Sequence, residues 1–143
     1  MSAEIEKMLA HIYNKFENTS MSKKSKLEIN TQALTFLYDK VINPTMKAHL
    51  SVAEKHGFKV QATKTVRASK AKFVYKMFVN PNGTFIEITF NASLITPRII
   101  ITAQSSCKGV GKNYKGKEYA FNEITKQVIE DNMAHILQEV VVM

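Results

Sequence analysis

At Gly57 the hydrophobic period of this chain changes, and that change limits the folds open to it. Upstream, apolar residues recur at intervals of three and four: Ile5, Met8, Leu9, Ile12 and Phe16, then Ile29, Ala33, Leu34, Leu37, Val41 and Ile42. That is the spacing of one helical face. Downstream the interval is two. Phe58, Val60 and Ala62 alternate with Lys59, Gln61 and Thr63, and Phe73, Tyr75, Met77 and Val79 alternate with Lys72, Val74, Lys76 and Phe78, as in half-buried strands.

Local signals divide these halves into elements. Ser2 suits the cap of a first helix, and Ser25 with Glu28 forms a capping-box pattern that starts a second. The polar run Glu17 to Lys26 between them reads as a loop. Pro44 lacks an amide hydrogen, so the second helix either kinks there or stops and restarts before ending at Gly57. Asn80 to Gly83 supplies turn residues for a hairpin into a strand whose apolar face is Ile86, Ile88 and Phe90, and Arg98 to Gln104 makes a fourth strand. Ser105 to Asn122 then reads as a loop. Asn122 is the expected cap of a final helix carrying Ile124, Val128, Ile129, Met133, Ile136, Leu137 and Val140. The expected fold is α+β: two or three N-terminal helices, a four-stranded antiparallel meander sheet and one C-terminal helix. A length of 143 residues fits a single domain over 1–143.

Pairing Val79 with Thr84 sets the hairpin register. Met77 then opposes Ile86 and Tyr75 opposes Ile88 on the core face, while Phe78 meets Phe85 and Lys76 meets Glu87 on the other. Two rings among lysines suit single-stranded nucleic acid, because bases stack on rings while cations neutralise phosphates. Cross-strand phenylalanines also pack under helices, however. Val74 and Ile100 on the same side make a covered face the favoured expectation, ringed by lysines.

The charge is unevenly spread along the chain. The net formal charge is +8. Between Lys59 and Lys117 lie eleven basic residues (Lys59, Lys64, Arg67, Lys70, Lys72, Lys76, Arg98, Lys108, Lys112, Lys115 and Lys117) and one acid, Glu87, so the rest of the chain is close to neutral. Such segregation favours an anionic partner.

Gly111, Gly116 and Lys117 have the spacing of a nucleotide-phosphate loop. Glu118 stands where that loop needs a hydroxyl for magnesium, and only one helix remains downstream, too little for the surrounding parallel sheet. A flexible cationic connection built from Lys108, Lys112, Lys115, Lys117 and Tyr114 fits the residues better.

Other sites are weakly marked. Cys107 is the single cysteine, which excludes an internal disulfide and agrees with a reducing, cytoplasmic setting. His49 and His56 are seven apart on one helical face, but with Glu54 they do not make a metal motif. No apolar run approaches the roughly 20 residues of a membrane span, and the N-terminal residues do not read as a secretory signal. The apolar tail Val140 to Met143 either finishes the core or meets a second subunit, which leaves a homo-oligomer open.

The sequence therefore names no reaction, catalytic residue, cofactor or metal. It favours a non-catalytic module that binds nucleic acid or another polyanion. Arg67, Lys70, Lys72, Lys76, Lys112, Lys115 and Lys117 are the phosphate contacts, with Phe78, Phe85 and Tyr114 as stacking groups. The alternative is a protein interaction factor, an inhibitor or adaptor, docking on an acidic partner protein.

Overall fold

The computed structural model describes the backbone of residues 2–18, 23–79 and 83–141. Helices α1 (Ser2–Asn18), α2 (Lys23–Leu37) and α3 (Asn43–Lys55) come first. Five strands follow, β1 (Lys59–Arg67), β2 (Lys70–Phe78), β3 (Phe85–Ser93), β4 (Arg98–Cys107) and β5 (Val110–Ala120), and helix α4 (Lys126–Ile136) closes the fold. The α+β class is as expected, with five strands in place of four. All pairs are antiparallel and the order is sequential, a meander. The proposed cap at Ser2, the hairpin turn at Asn80 to Asn82 and the side chains of the tail Val140 to Met143 lie outside what is described.

Pro44 is accommodated without a break. A π-helical turn, Tyr38–Ile42, joins α2 to α3, and the amide of Asn43 donates to the Tyr38 carbonyl five residues back. The wider turn relieves the crowding a proline ring causes against the preceding turn. Helix α3 ends in a Schellman motif: Phe58 N–H donates to the Ala53 carbonyl (3.1 Å) and Gly57 N–H to that of Glu54 (3.0 Å), with Gly57 at φ 101°. Helix α2 begins at Lys23, so Ser25 lies inside its first turn instead of capping it.

The β2–β3 register is the expected one, Phe78 opposite Phe85 and Lys76 opposite Glu87. Strict alternation puts Phe73, Tyr75, Met77, Ile86, Ile88, Phe90, Ile99 and Ile101 into a core shared with Leu34, Leu37, Val41, Ile42 and Met46 from the helices and Ile129, Met133 and Ile136 from α4. Two buried asparagines anchor helices to the sheet, one through the β3–β4 turn and one through β5. Asn30 Nδ2 donates to the Leu94 carbonyl (2.6 Å). Asn132 Nδ2 donates to Tyr119 Oη (3.1 Å) and the Val128 carbonyl (2.9 Å), while its Oδ1 accepts from the Tyr114 hydroxyl (2.9 Å). Buried amides of this kind persist because they are satisfied.

Two further expectations are corrected. The cap of α4 is Thr125, whose hydroxyl accepts from Val128 N–H (3.2 Å), because Asn122 falls in a 3₁₀ turn, Phe121–Glu123, that precedes the helix. Ile124 and Ile129 flank this cap as a buried staple pair. The second correction concerns Ser105 to Asn122, which is strand over most of its length. Strand β4 runs on to Cys107 and turns through Lys108 (φ 52°) and Gly109 (φ 83°) into β5. Two consecutive positive φ values mark a type I′ hairpin turn, the one that matches the twist of its strands.

Candidate functional site

The helices all lie against one face of the sheet. On the other face every residue is half-buried or exposed, and no described element covers it. The favoured expectation of a covered face is thus overturned. Val74 and Ile100 are half-buried by their neighbours on the sheet alone.

The registers lay this open face out as a grid of five rows. Across the strands from β1 to β5, the row at one end is Lys59, Phe78, Phe85, Ser106 and Gly111. The next is Gln61, Lys76, Glu87, Gln104 and Asn113, and the middle row is Thr63, Val74, Thr89, Thr102 and Lys115. Then come Thr65, Lys72, Asn91, Ile100 and Glu118, and at the far end Arg67, Lys70, Ser93, Arg98 and Ala120. Seven cations (Lys59, Arg67, Lys70, Lys72, Lys76, Arg98 and Lys115) face two carboxylates, Glu87 and Glu118. Five of the seven stand on the β1–β2 hairpin. Around Glu87 on the central strand, the middle of the face is mostly threonine, asparagine and glutamine, with Val74 and Ile100 among them.

Side-chain contacts on the face sharpen the picture. Lys76 Nζ lies 4.6 Å from the Phe85 ring centroid and 5.8 Å from that of Phe78, so an ammonium already sits over both rings. Glu87 accepts from Gln104 Nε2 (3.0 Å), and Asn91 Nδ2 donates to Thr102 Oγ1 (3.2 Å). Arg98 is 3.9 Å from Glu123, a carboxylate supplied by the 3₁₀ turn. Among the described residues, none of Arg67, Lys70, Lys72 or Lys76 lies within 4.0 Å of a carboxylate.

The ten residues selected from sequence do not all meet. Arg67, Lys70, Lys72, Lys76, Phe78, Phe85 and Lys115 share the open face. Lys112 is paired with Ser105 and so belongs to the helix-side face of β5. Tyr114 is on that side too, with its hydroxyl engaged by Asn132 and its acidity lowered chiefly by burial. It has no ring face to offer a base above the open sheet. Lys117 sits in a β-bulge, where Gly116 and Lys117 together oppose Ile101. Lys64 lies off the open face as well, its ammonium 4.5 Å from the Tyr38 ring.

The glycine-lysine spacing has a structural explanation. A Cβ on Gly116 would lie 2.8 Å from the Ile101 carbonyl oxygen and 2.9 Å from Asn132 Oδ1, so this glycine lets α4 approach the sheet. Gly111 has no such neighbour. The two glycines belong to an antiparallel strand and do not form a phosphate cradle.

Elsewhere, His49 Nε2 stands 3.6 Å from Glu130 Oε2, and Cys107 is half-buried at the end of β4. Among the described residues no cluster of three or more histidine, cysteine, aspartate or glutamate side chains is placed to hold a metal ion, and no helix is long and apolar enough to cross a membrane. Residues that sequence reasoning passed over include Thr63, Thr65, Thr89, Asn91, Thr102 and Gln104. Their signal is the polar half of each alternating strand, on the face expected to be covered. Comparison of the chain with protein families, with curated proteins and with solved structures found no match to it.

Proposed function

We propose that the open sheet face binds single-stranded nucleic acid with weak sequence preference, in a cytoplasmic setting where the Cys107 thiol stays reduced. One observation carries the reading: an uncovered face bearing seven cations against two carboxylates, with a pair of adjacent phenylalanine rings at one end. Phosphates are neutralised along the β1–β2 hairpin by Arg67, Lys70, Lys72 and Lys76, and bases stack on Phe78 and Phe85 as Lys76 swings from the rings to a phosphate. Threonine, asparagine and glutamine in the centre donate and accept hydrogen bonds to sugars and base edges without demanding one base.

Titration of a mixed-sequence single strand at about 50 mM and about 200 mM salt tests this. Neutralisation of about four phosphates gives a slope of log K on log salt of about −2.8. Lys70→Glu with Lys72→Glu and Lys76→Glu should abolish binding while the far-ultraviolet circular dichroism stays that of the wild type. If the triple variant keeps its affinity, the face is not the site. If the wild type binds no oligonucleotide but binds an acidic protein domain, and the triple variant loses that binding, the same surface serves an adaptor.

A further inference from the structure

The corner of the open face where β1 turns into β2 concentrates charge in a way the fold itself does not offset. Arg67 and Lys70 are directly opposed across the hairpin, a pairing of like charges that destabilises a sheet. Lys72 lies on the same face two residues further along β2. The connecting turn adds strain, because Ala68 is held at φ 44°, a region that side chains with a Cβ rarely enter. Gln61, Thr63 or Thr65 stands opposite Lys76, Val74 or Lys72, so a neutral partner at the corner is compatible with this hairpin; the opposed pair is a feature of its turn end alone.

The three cations line an open cavity of about 520 Å³ together with Thr65, Asn91 and Ser93. Ala71, Ala92 and Ile100 complete its lining. The cavity thus presents three cations with hydroxyl and amide groups around them, and no carboxylate lines it. A doubly charged tetrahedral oxyanion matches this set: it spreads its charge over oxygens that accept several charge-assisted hydrogen bonds, and it relieves the repulsion between Arg67 and Lys70.

Resting on the reading above, we infer that this corner holds the terminal phosphate monoester of a bound single strand, which fixes the strand's end and its direction on the sheet. From Lys70 to Phe78 the strand β2 spans about 26 Å, so the track from corner to rings takes between about four and eight nucleotides, according to how far the bases are unstacked. The phosphate lies at the corner and the bases reach the phenylalanine pair.

Three single strands of about six nucleotides, identical except for a 5′-phosphate, a 3′-phosphate or hydroxyls at both ends, are titrated into the full chain at low salt. One phosphorylated form should bind at least about tenfold more tightly than the hydroxyl form. That ratio should fall, while staying above one, as the pH is lowered through about 6, where the phosphate regains its second proton and keeps a single charge. It should fall towards one in the variant Lys70→Gln with Lys72→Gln, whatever the overall loss of affinity. Equal affinity for all three strands overturns the inference and leaves the face as a backbone-phosphate site. A preference that survives the double substitution overturns the location, and no binding of any strand overturns both readings.

Discussion

Replacing Gly116 with alanine separates the structural reading of the glycine-lysine stretch from a phosphate-binding one. The new methyl carbon would stand 2.8 Å from the Ile101 carbonyl oxygen and 2.9 Å from Asn132 Oδ1, where ordinary contact begins at 3.4 Å. Either the β4–β5 backbone opens by about half an ångström, or Asn132 rotates and gives up its bonds to Tyr114, Tyr119 and the Val128 carbonyl. Overpacking costs about 1–3 kcal/mol, and each of those hydrogen bonds contributes about 1 kcal/mol. A loss of about 2–4 kcal/mol, or roughly 10 °C in Tm, follows. Urea and thermal unfolding measure it. In an Asn132→Ala background the same substitution should cost less, since one of its two closest contacts has gone. Oligonucleotide affinity of the folded variant should be unchanged. An unaltered Tm, or lost binding with full stability, would refute the reasoning and restore a role for Gly116 beside an anion.

Four further outcomes follow from the geometry. Gly109→Ala should cost about 1–2 kcal/mol in urea unfolding because its φ is 83°, whereas Gly111→Ala should stay within about 0.5 kcal/mol of the wild type. Phe78→Ala with Phe85→Ala should weaken single-strand binding by about 1–3 kcal/mol, read by titration, and unchanged affinity would remove the rings from the site. Burial, followed by the neighbouring Tyr38, pushes the Tyr75 hydroxyl far above its ordinary value of 10.0. The folded state therefore holds this proton more tightly. Its contribution is complete below pH 10 and declines as the pH rises beyond that value, so Tyr75→Phe should flatten the alkaline loss of stability. Asn30→Ala should cost about 1–3 kcal/mol by leaving the buried Leu94 carbonyl without its donor, measurable as a lower urea midpoint.

Much of this fold is legible in the residue pattern, and the failures have identifiable causes. The β2–β3 register follows from apolar alternation on both strands together with the short turn, which pairs Val79 with Thr84 and so buries Tyr75, Met77, Ile86 and Ile88 together. The fifth strand escapes the same test. Its buried side is marked by Tyr114 and Tyr119, five residues apart, because the bulge at Gly116 and Lys117 interrupts the period of two. As an edge strand rich in glycine and lysine, β5 carries little else to identify it. The cap of α4 is misread for a different reason, since Asn122 and Thr125 both suit a cap and the choice depends on Ile124 being buried ahead of the helix. Alternation also tells which side chains share a sheet face without telling whether a layer lies above them. The half-buried Val74 and Ile100 therefore suggested a cover that none of the described elements supplies. The charge segregation was legible, but its three-dimensional spread was not: Lys64 and Lys112 leave the open face, and Glu123 reaches Arg98 from the C-terminal segment.

Side-chain nuclear magnetic resonance of the full chain during titration with a short single strand tests the central claim most directly, because alternate residues of one strand belong to opposite faces. Phe78, Phe85, Val74, Thr89 and Ile100 should shift, while Tyr75, Ile86, Ile88, Ile99 and Ile101, one residue away and buried, should stay near their free positions. Shifts confined to the helices or the outer edge of β5, or a titration that moves nothing, would contradict the claim.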